Sequence, residues 1–142
     1  MSGSAFEIPT DPKYIRQASA KVLDSLKGLD VDEGTLFDVR LSVEEAIINA
    51  IKYGNKFNKD LPVSIKYSLE GDKLEVTVRD RGKGFSHTSF PDPTSNNNIL
   101  KQGGRGLFLI RTLMDEVKFS DSGNEIKMVK FLKGGKGHGC KG

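Results

Sequence analysis

Val63-Ser64-Ile65-Lys66-Tyr67-Ser68-Leu69-Glu70-Gly71-Asp72-Lys73-Leu74-Glu75-Val76-Thr77-Val78-Arg79-Asp80 alternates apolar and polar residues on both sides of Glu70-Gly71-Asp72. Such alternation puts one set of side chains on each face of an extended chain, and the central triplet is turn chemistry. The stretch predicts a β-hairpin with one buried face, whose second strand ends at Asp80.

Upstream, the spacing changes from two residues to three and four. Leu36, Val39, Val43, Ala46, Ile47 and Ala50 form one apolar stripe, which predicts a helix over residues 33–53, capped by Asp32 and stopped at Gly54. Glu45 and Asn49 are one turn apart and are expected largely opposite that stripe. An earlier helix is predicted over residues 12–27. Asp11 is at its N-cap, Pro12 at its first position, and Ile15, Ala18, Val22 and Leu26 on its inner face. Residues 5–8 alternate as a short strand.

Downstream, residues 81–106 hold five of the sixteen glycines and two prolines and show no periodicity. A loop of this length in a compact domain is usually functional or mobile. A third helix is expected at residues 107–115 with Leu107, Ile110 and Met114 inward. Phe108 is expected in the core or at an interface. Residues 117–120 and 125–132 are expected to close the domain as a second hairpin. The order β-α-α-β-β-loop-α-β-β predicts an α+β two-layer sandwich, a mostly antiparallel sheet covered on one face by helices. It is not the alternating order of a doubly wound fold. Residues 1–133 make one domain, and the glycine- and lysine-rich residues 134–142 are expected to be disordered.

Charge and composition narrow the class. The net charge is +3, but Lys133, Lys136 and Lys141 sit in the tail. Setting those aside leaves equal numbers of basic and acidic residues, so no basic stripe marks the body for nucleic acid. No apolar run is long enough for a membrane span. Residues 1–7 lack the basic and apolar regions of a signal peptide, and the single cysteine, Cys140, makes no internal disulfide. The expected location is the cytoplasm. His138 and Cys140 supply too few ligands for a structural metal site.

Three stretches carry chemistry. Glu44-Glu45-Ala46-Ile47-Ile48-Asn49-Ala50 presents a carboxylate and an amide one helical turn apart. The amide oxygen suits Mg²⁺, and the carboxylate suits removal of a proton from an attacking hydroxyl. Asp80-Arg81-Gly82-Lys83-Gly84-Phe85 follows a strand directly. There a carboxylate can accept from an exocyclic amine, and glycines admit a flat ligand close to the backbone. Gly103-Gly104-Arg105-Gly106 enters a helix, where free N–H groups and the helix dipole favour phosphate. Each stretch also has an ordinary reading: a solvated helix face, a strand ending in a turn, a glycine-rich loop end.

In this order the three stretches resemble the N box, the D-x-G-x-G box and the second glycine box of the GHKL ATPase superfamily, over about residues 5–132. Glu45-x-x-x-Asn49-Ala50, Gly103-Gly104-Arg105-Gly106-Leu107-Phe108-Leu109-Ile110 and Met114-Asp115-Glu116-Val117 are similar to the bacterial anti-sigma-factor serine kinases. The resemblance implies an ATP site made by Asn49, Asp80, Gly82, Gly84, Gly104, Arg105, Gly106 and Leu107. It implies Mg²⁺ on Asn49 and Glu45 as the catalytic base. It also implies a small anti-anti-sigma (STAS-type) protein substrate, a sigma factor as second partner, and a homodimer. Where many relatives read x-x-His-Gly after Asn49-Ala50, this chain has Ile51-Lys52-Tyr53-Gly54. Two other readings stay open: an ATP-dependent latch that holds a partner without phosphorylating it, and an interaction module whose glycines only shape loops.

Overall fold

The computed structural model describes residues 2–82, 105–121 and 123–132. The predicted hairpin is present as β2 (Pro62–Glu70) and β3 (Lys73–Arg79), with Ile65 opposite Val78 and Tyr67 opposite Val76. Gly71 takes the first turn position with φ 62°, a conformation that the twist of a two-residue hairpin turn demands and a side chain resists. β1 (Ser2–Pro9) is longer than the four residues expected and adds antiparallel to β2. β4 (Glu116–Phe119) and β5 (Glu125–Phe131) form the closing hairpin, and β5 pairs with β3. The result is a five-stranded antiparallel sheet in the order β1-β2-β3-β5-β4.

The helices lie on one face of this sheet, giving the α+β sandwich. The first predicted helix is a single 3-10 turn (Pro12–Tyr14) followed by α1 (Ile15–Asp24). Its last turn loosens before Gly28, whose φ is 88°. Asp11 and Asp32 cap as expected: Asp11 accepts from Lys13 N at 3.1 Å and Asp32 from Thr35 N at 2.7 Å. Those N–H groups hold both carboxyls below their ordinary range. The second helix is regular only as α2 (Glu33–Asn49). Residues Ala50–Gly54 then widen into a π turn, so the predicted helix to Tyr53 is corrected in its last turn. The third helix, α3 (Arg105–Leu113), starts and ends two residues earlier than expected. Ile110 and Met114 are buried, whereas Phe108 is 68% exposed and is no core residue.

α2 carries most of the helical core. Val39, Val43, Ala46 and Ile47 have at most 2% exposure and meet Val63, Ile65, Val76 and Val78 from the sheet in one apolar cluster. Burying each Val or Ile fully is worth about 1.5–3 kcal/mol relative to exposure. α3 packs beside α2, tied at its C-terminus and closely approached at its N-terminus. At its C-terminus Lys130 Nζ donates to Leu113 O at 2.6 Å and pairs with Asp38 of α2 at 3.4 Å. A cation there also complements the helix dipole. At its N-terminus Gly106 meets Glu45 and Asn49 of α2. Among the described residues no helix is long and apolar enough to cross a membrane.

Ile47→Ala should destabilise the domain by about 2–5 kcal/mol, because it deletes a fully buried side chain at the centre of the interlayer contact. Urea unfolding checks this; a loss below 1 kcal/mol would mean that α2 does not hold the layers together.

Candidate nucleotide site

The π turn after Asn49 carries Ala50, Tyr53 and Gly54 past the end of β3, and this juxtaposition builds a pocket. Ala46, Asn49, Ala50 and Tyr53 line one wall; Val78 and Asp80 form its floor. Leu107, Phe119, Asn124 and Ile126 close the other sides. The pocket is a shallow one: its interior holds about 50 Å³, and the rest of its space is open to solvent. Its lining is mostly apolar with a few placed polar groups, the character of small-molecule sites.

Asp80 is the charged group on that floor, with 7% exposure. Its backbone N–H donates to Asn124 O at 2.9 Å, which continues the ladder one step past the strand end. Its Oδ1 accepts from Gly82 N at 2.9 Å. Gly54 lies directly under the carboxylate: a Cβ there would collide with the carboxyl carbon and Oδ2. Gly82 in turn rests against Gly54 O with no room for a Cβ. These two glycines are therefore required by close approach. Burial pushes the Asp80 carboxyl above its ordinary value; the Gly82 N–H and the Arg79 charge oppose this more weakly.

At the other rim, α3 opens against α2. A Cβ on Gly106 would sit 2.6 Å from Glu45 Oε1 and 3.4 Å from Asn49 Nδ2. Glu45 and Asn49 thus do not face open solvent away from the apolar stripe, as expected from spacing, but flank it where α3 covers them. Asn49 Nδ2 is buried without a hydrogen-bond partner among the described residues. An orphaned buried amide is costly unless a ligand atom completes it. The donor set fits a phosphate chain with a divalent ion. It combines an amide that offers both N–H and oxygen, a carboxylate one turn away, and a nine-residue helix whose N-terminus opens beside them.

The structure therefore brings Asn49, Asp80 and Leu107 to one pocket, with Gly106 and Glu45 beside Asn49 and Gly82 beside Asp80. Arg105 begins α3. Gly84 and Gly104, with the rest of residues 83–104 and the tail 133–142, lie outside the described residues. Tyr53, Gly54, Phe119 and Asn124 were not among the expected site residues. Gly54 carried a helix-stop signal; Phe119 reaches the pocket through the register of β4 on β5, and Asn124 by accepting from Asp80 N just before β5.

The comparisons show the family and the fold. The sequence matches the model of the histidine kinase-like ATPase domain over residues 8–130. This chain belongs to that family. It is 33% identical over 137 residues to the serine-protein kinase RsbW of Bacillus subtilis, covering 90% of this chain and 84% of that protein. It is 32% identical to the serine-protein kinase RsbW of Listeria monocytogenes, covering 89% and 85%. Among solved structures, the RsbU and RsbW domains of a Mycobacterium tuberculosis protein superpose with a TM-score of 0.64 at 16% identity, covering 93% of this chain and 33% of that one. A blue-light activated histidine kinase of Erythrobacter litoralis superposes at 0.58 and 21% identity, covering 92% and 44%. Both share the fold.

The raised pKa of Asp80 has a consequence for the ligand-free protein. Folding favours the protonated carboxyl. That contribution is complete below the ordinary carboxylate pKa and is lost as pH rises through the raised value. Above that raised value the ionised Asp80 therefore costs stability. Asp80→Asn should melt at an equal or higher temperature than wild type at neutral pH, with the difference shrinking in acid. A variant markedly less stable at neutral pH would contradict this reading of the buried charge.

Proposed function

We propose that this chain, a protein serine kinase of the RsbW type, binds Mg-ATP in the pocket between Asp80 and Gly106. It transfers the γ-phosphoryl group to a serine or threonine of a small anti-anti-sigma protein of the STAS type. A sigma factor is the second partner in the switch, and a homodimer is the working assembly. The observation that carries the reading is the contact of Gly106 with both Glu45 and Asn49, which places a helix N-terminus, a carboxylate and an uncompleted amide at one point. Relatives named serine-protein kinases, matched over nine-tenths of this chain, support the same enzyme class.

In this reading the exocyclic amine of adenine donates to Asp80, and the walls of Ala50, Val78 and Ile126 take the faces of the base. Gly82 and Gly84 shape the pocket around it. The triphosphate runs toward α3, where the N–H groups around Gly104, Arg105, Gly106 and Leu107 receive its oxygens. Asn49 would hold Mg²⁺, which neutralises phosphate charge when bound. Glu45 takes the proton of the substrate hydroxyl. The hydroxyl oxygen forms a bond to the γ-phosphorus as the bond to the bridging oxygen breaks, and ADP leaves with that electron pair. Phosphoryl transfer needs mainly alignment and charge neutralisation, which this small set supplies.

Glu45→Ala should keep ADP affinity and lose transfer by about 10²–10⁴-fold, the range for a general base. The measurement is γ-labelled ATP with wild type or variant in lysate of the source organism. A small labelled protein seen with wild type alone supports the kinase and supplies its substrate for identification. Equal labelling would assign the base elsewhere, and ADP binding without any transfer by wild type would replace the kinase with the latch.

Gly106→Ala probes the same point sterically. Its methyl meets the movable end of Glu45, so the fold should survive with stability changed by about 1 kcal/mol or less. Transfer should fall, because the carboxylate must swing away. Normal transfer in a folded Gly106→Ala variant would separate Glu45 from the chemistry.

A further inference from the structure

Beside the nucleotide pocket lies a buried polar cluster that the proposed chemistry does not use. Asn55 follows the π turn and is 3% exposed. Its Nδ2 donates to Thr10 Oγ1 at 2.8 Å and to Pro62 O at 3.1 Å, and its Oδ1 accepts from Arg81 N at 2.8 Å. Thr10, itself fully buried, donates its hydroxyl proton to Leu61 O. Thr10 Oγ1 is therefore left as an acceptor toward Asn55. Pro62 O accepts only and Arg81 N donates only, so a single orientation of the amide satisfies all the partners. Asn55 thus joins the ends of β1 and β3 and the start of β2 at one side chain.

The bond to Arg81 N bears on the pocket. Arg81 is the residue between Asp80, on the pocket floor, and Gly82, whose N–H holds Asp80 Oδ1. Asn55 is also joined directly to Gly54, which lies under that carboxylate and whose carbonyl packs on Gly82. The other tie to Arg81, its guanidinium on Glu7 at 3.0 Å, is about half exposed on both sides and so holds weakly. The two residues after Asn55, Lys56 and Phe57, have φ of 52° and 61°. Non-glycine residues stay in that region only where their surroundings over-determine them. Here Phe57 N donates to Ile51 O at 2.8 Å and Asn58 N to Asn55 O at 2.9 Å. The segment is built to hold Asn55 in one place.

We propose that Asn55 is a positioning residue for the nucleotide site: its Oδ1 on Arg81 N fixes the turn that aims the Asp80 carboxylate at the base. The assignment rests on the reading of that pocket as an adenine site. It concerns binding and base selectivity, not the phosphoryl-transfer step, which lies at the other rim.

The test separates positioning from mere support of the fold. Three variants of the full chain are compared with wild type by thermal melting, by calorimetric titration with Mg-ADP and Mg-GDP, and by transfer at saturating ATP. Asn55→Ala removes the acceptor for Arg81 N. It should weaken ADP binding by about tenfold or more, the scale for removing a residue that orients a ligand-binding group. Its preference for ADP over GDP should shrink while transfer at saturation stays near wild type. Asn55→Asp keeps an oxygen for Arg81 N but turns a second oxygen toward Pro62 O. Thr10→Val removes the hydroxyl and leaves the Arg81 bond. Both should melt lower than wild type yet bind ADP within about threefold of it, since the bond that matters is retained.

Affinity that follows melting temperature across all three variants, or an Asn55→Ala protein with wild-type ADP affinity and selectivity, would overturn the assignment. If Asn55→Ala does not fold, the other two decide: retained ADP affinity at lowered melting temperature supports positioning, and loss in both refutes it. Wild type that binds no ADP would instead overturn the pocket reading beneath this assignment.

Discussion

Helix α2 rests on the sheet through Val39, Val43, Ala46 and Ile47, all but excluded from water, and every feature of the candidate site is measured from that contact. The apolar stripe fixes the rotation of the helix, and rotation fixes where its polar residues emerge. Glu45 and Asn49 emerge at the flank against α3, and Ala46 and Ala50 turn into the pocket. Because the last turn widens into a π turn, Tyr53 and Gly54 reach the end of β3. Such widened turns recur at functional sites. α3 is tied to the same assembly by Lys130 at one end, and at the other Gly106 lets it approach Glu45 and Asn49 closely.

The molecule carries an unusual polar burden close to this core. Asp80 is buried as a carboxylate, Asn49 holds an amide nitrogen without a partner among the described residues, and Asn55 and Thr10 are enclosed with their hydrogen bonds made. Buried polar groups with full complements specify geometry at little net cost, whereas incomplete ones cost stability. The division is spatial. The complete network lies behind the Arg81 turn, while Asp80 and the uncompleted amide of Asn49 line the pocket. That distribution is what a ligand site requires: rigid support behind, and groups in front that a ligand completes.

Much of the fold was legible because the two layers have different periods. Alternation from Val63 to Asp80 reads as strands because one face meets the helices and the other does not, and the strand ends fell within a residue or two of those expected. The stripe of α2 was equally plain. The π turn was not, since an extra residue in one turn leaves no mark on apolar spacing, and Gly54 reads the same after either kind of turn. The reach of α1 was overestimated because Leu26 continues the stripe although the backbone has already loosened.

The site was legible in part for a different reason. Spacing put Glu45 and Asn49 on one helix face but placed that face away from the stripe; only the packing of α3 shows that they are covered. Asp80 and Gly82 followed from a strand ending in glycine chemistry. Asn55 carried no signal at all. A polar residue after a glycine reads as loop, and its burial depends on Thr10, Pro62 and Arg81 arriving from three other segments. The most direct test of the account is the structure of this chain with Mg²⁺ and a non-hydrolysable ATP analogue. It should show the adenine amine within hydrogen-bond distance of the Asp80 carboxylate and the phosphates at the N-terminus of α3 beside Asn49. An analogue bound elsewhere, or with its phosphates turned away from Gly106, would contradict it.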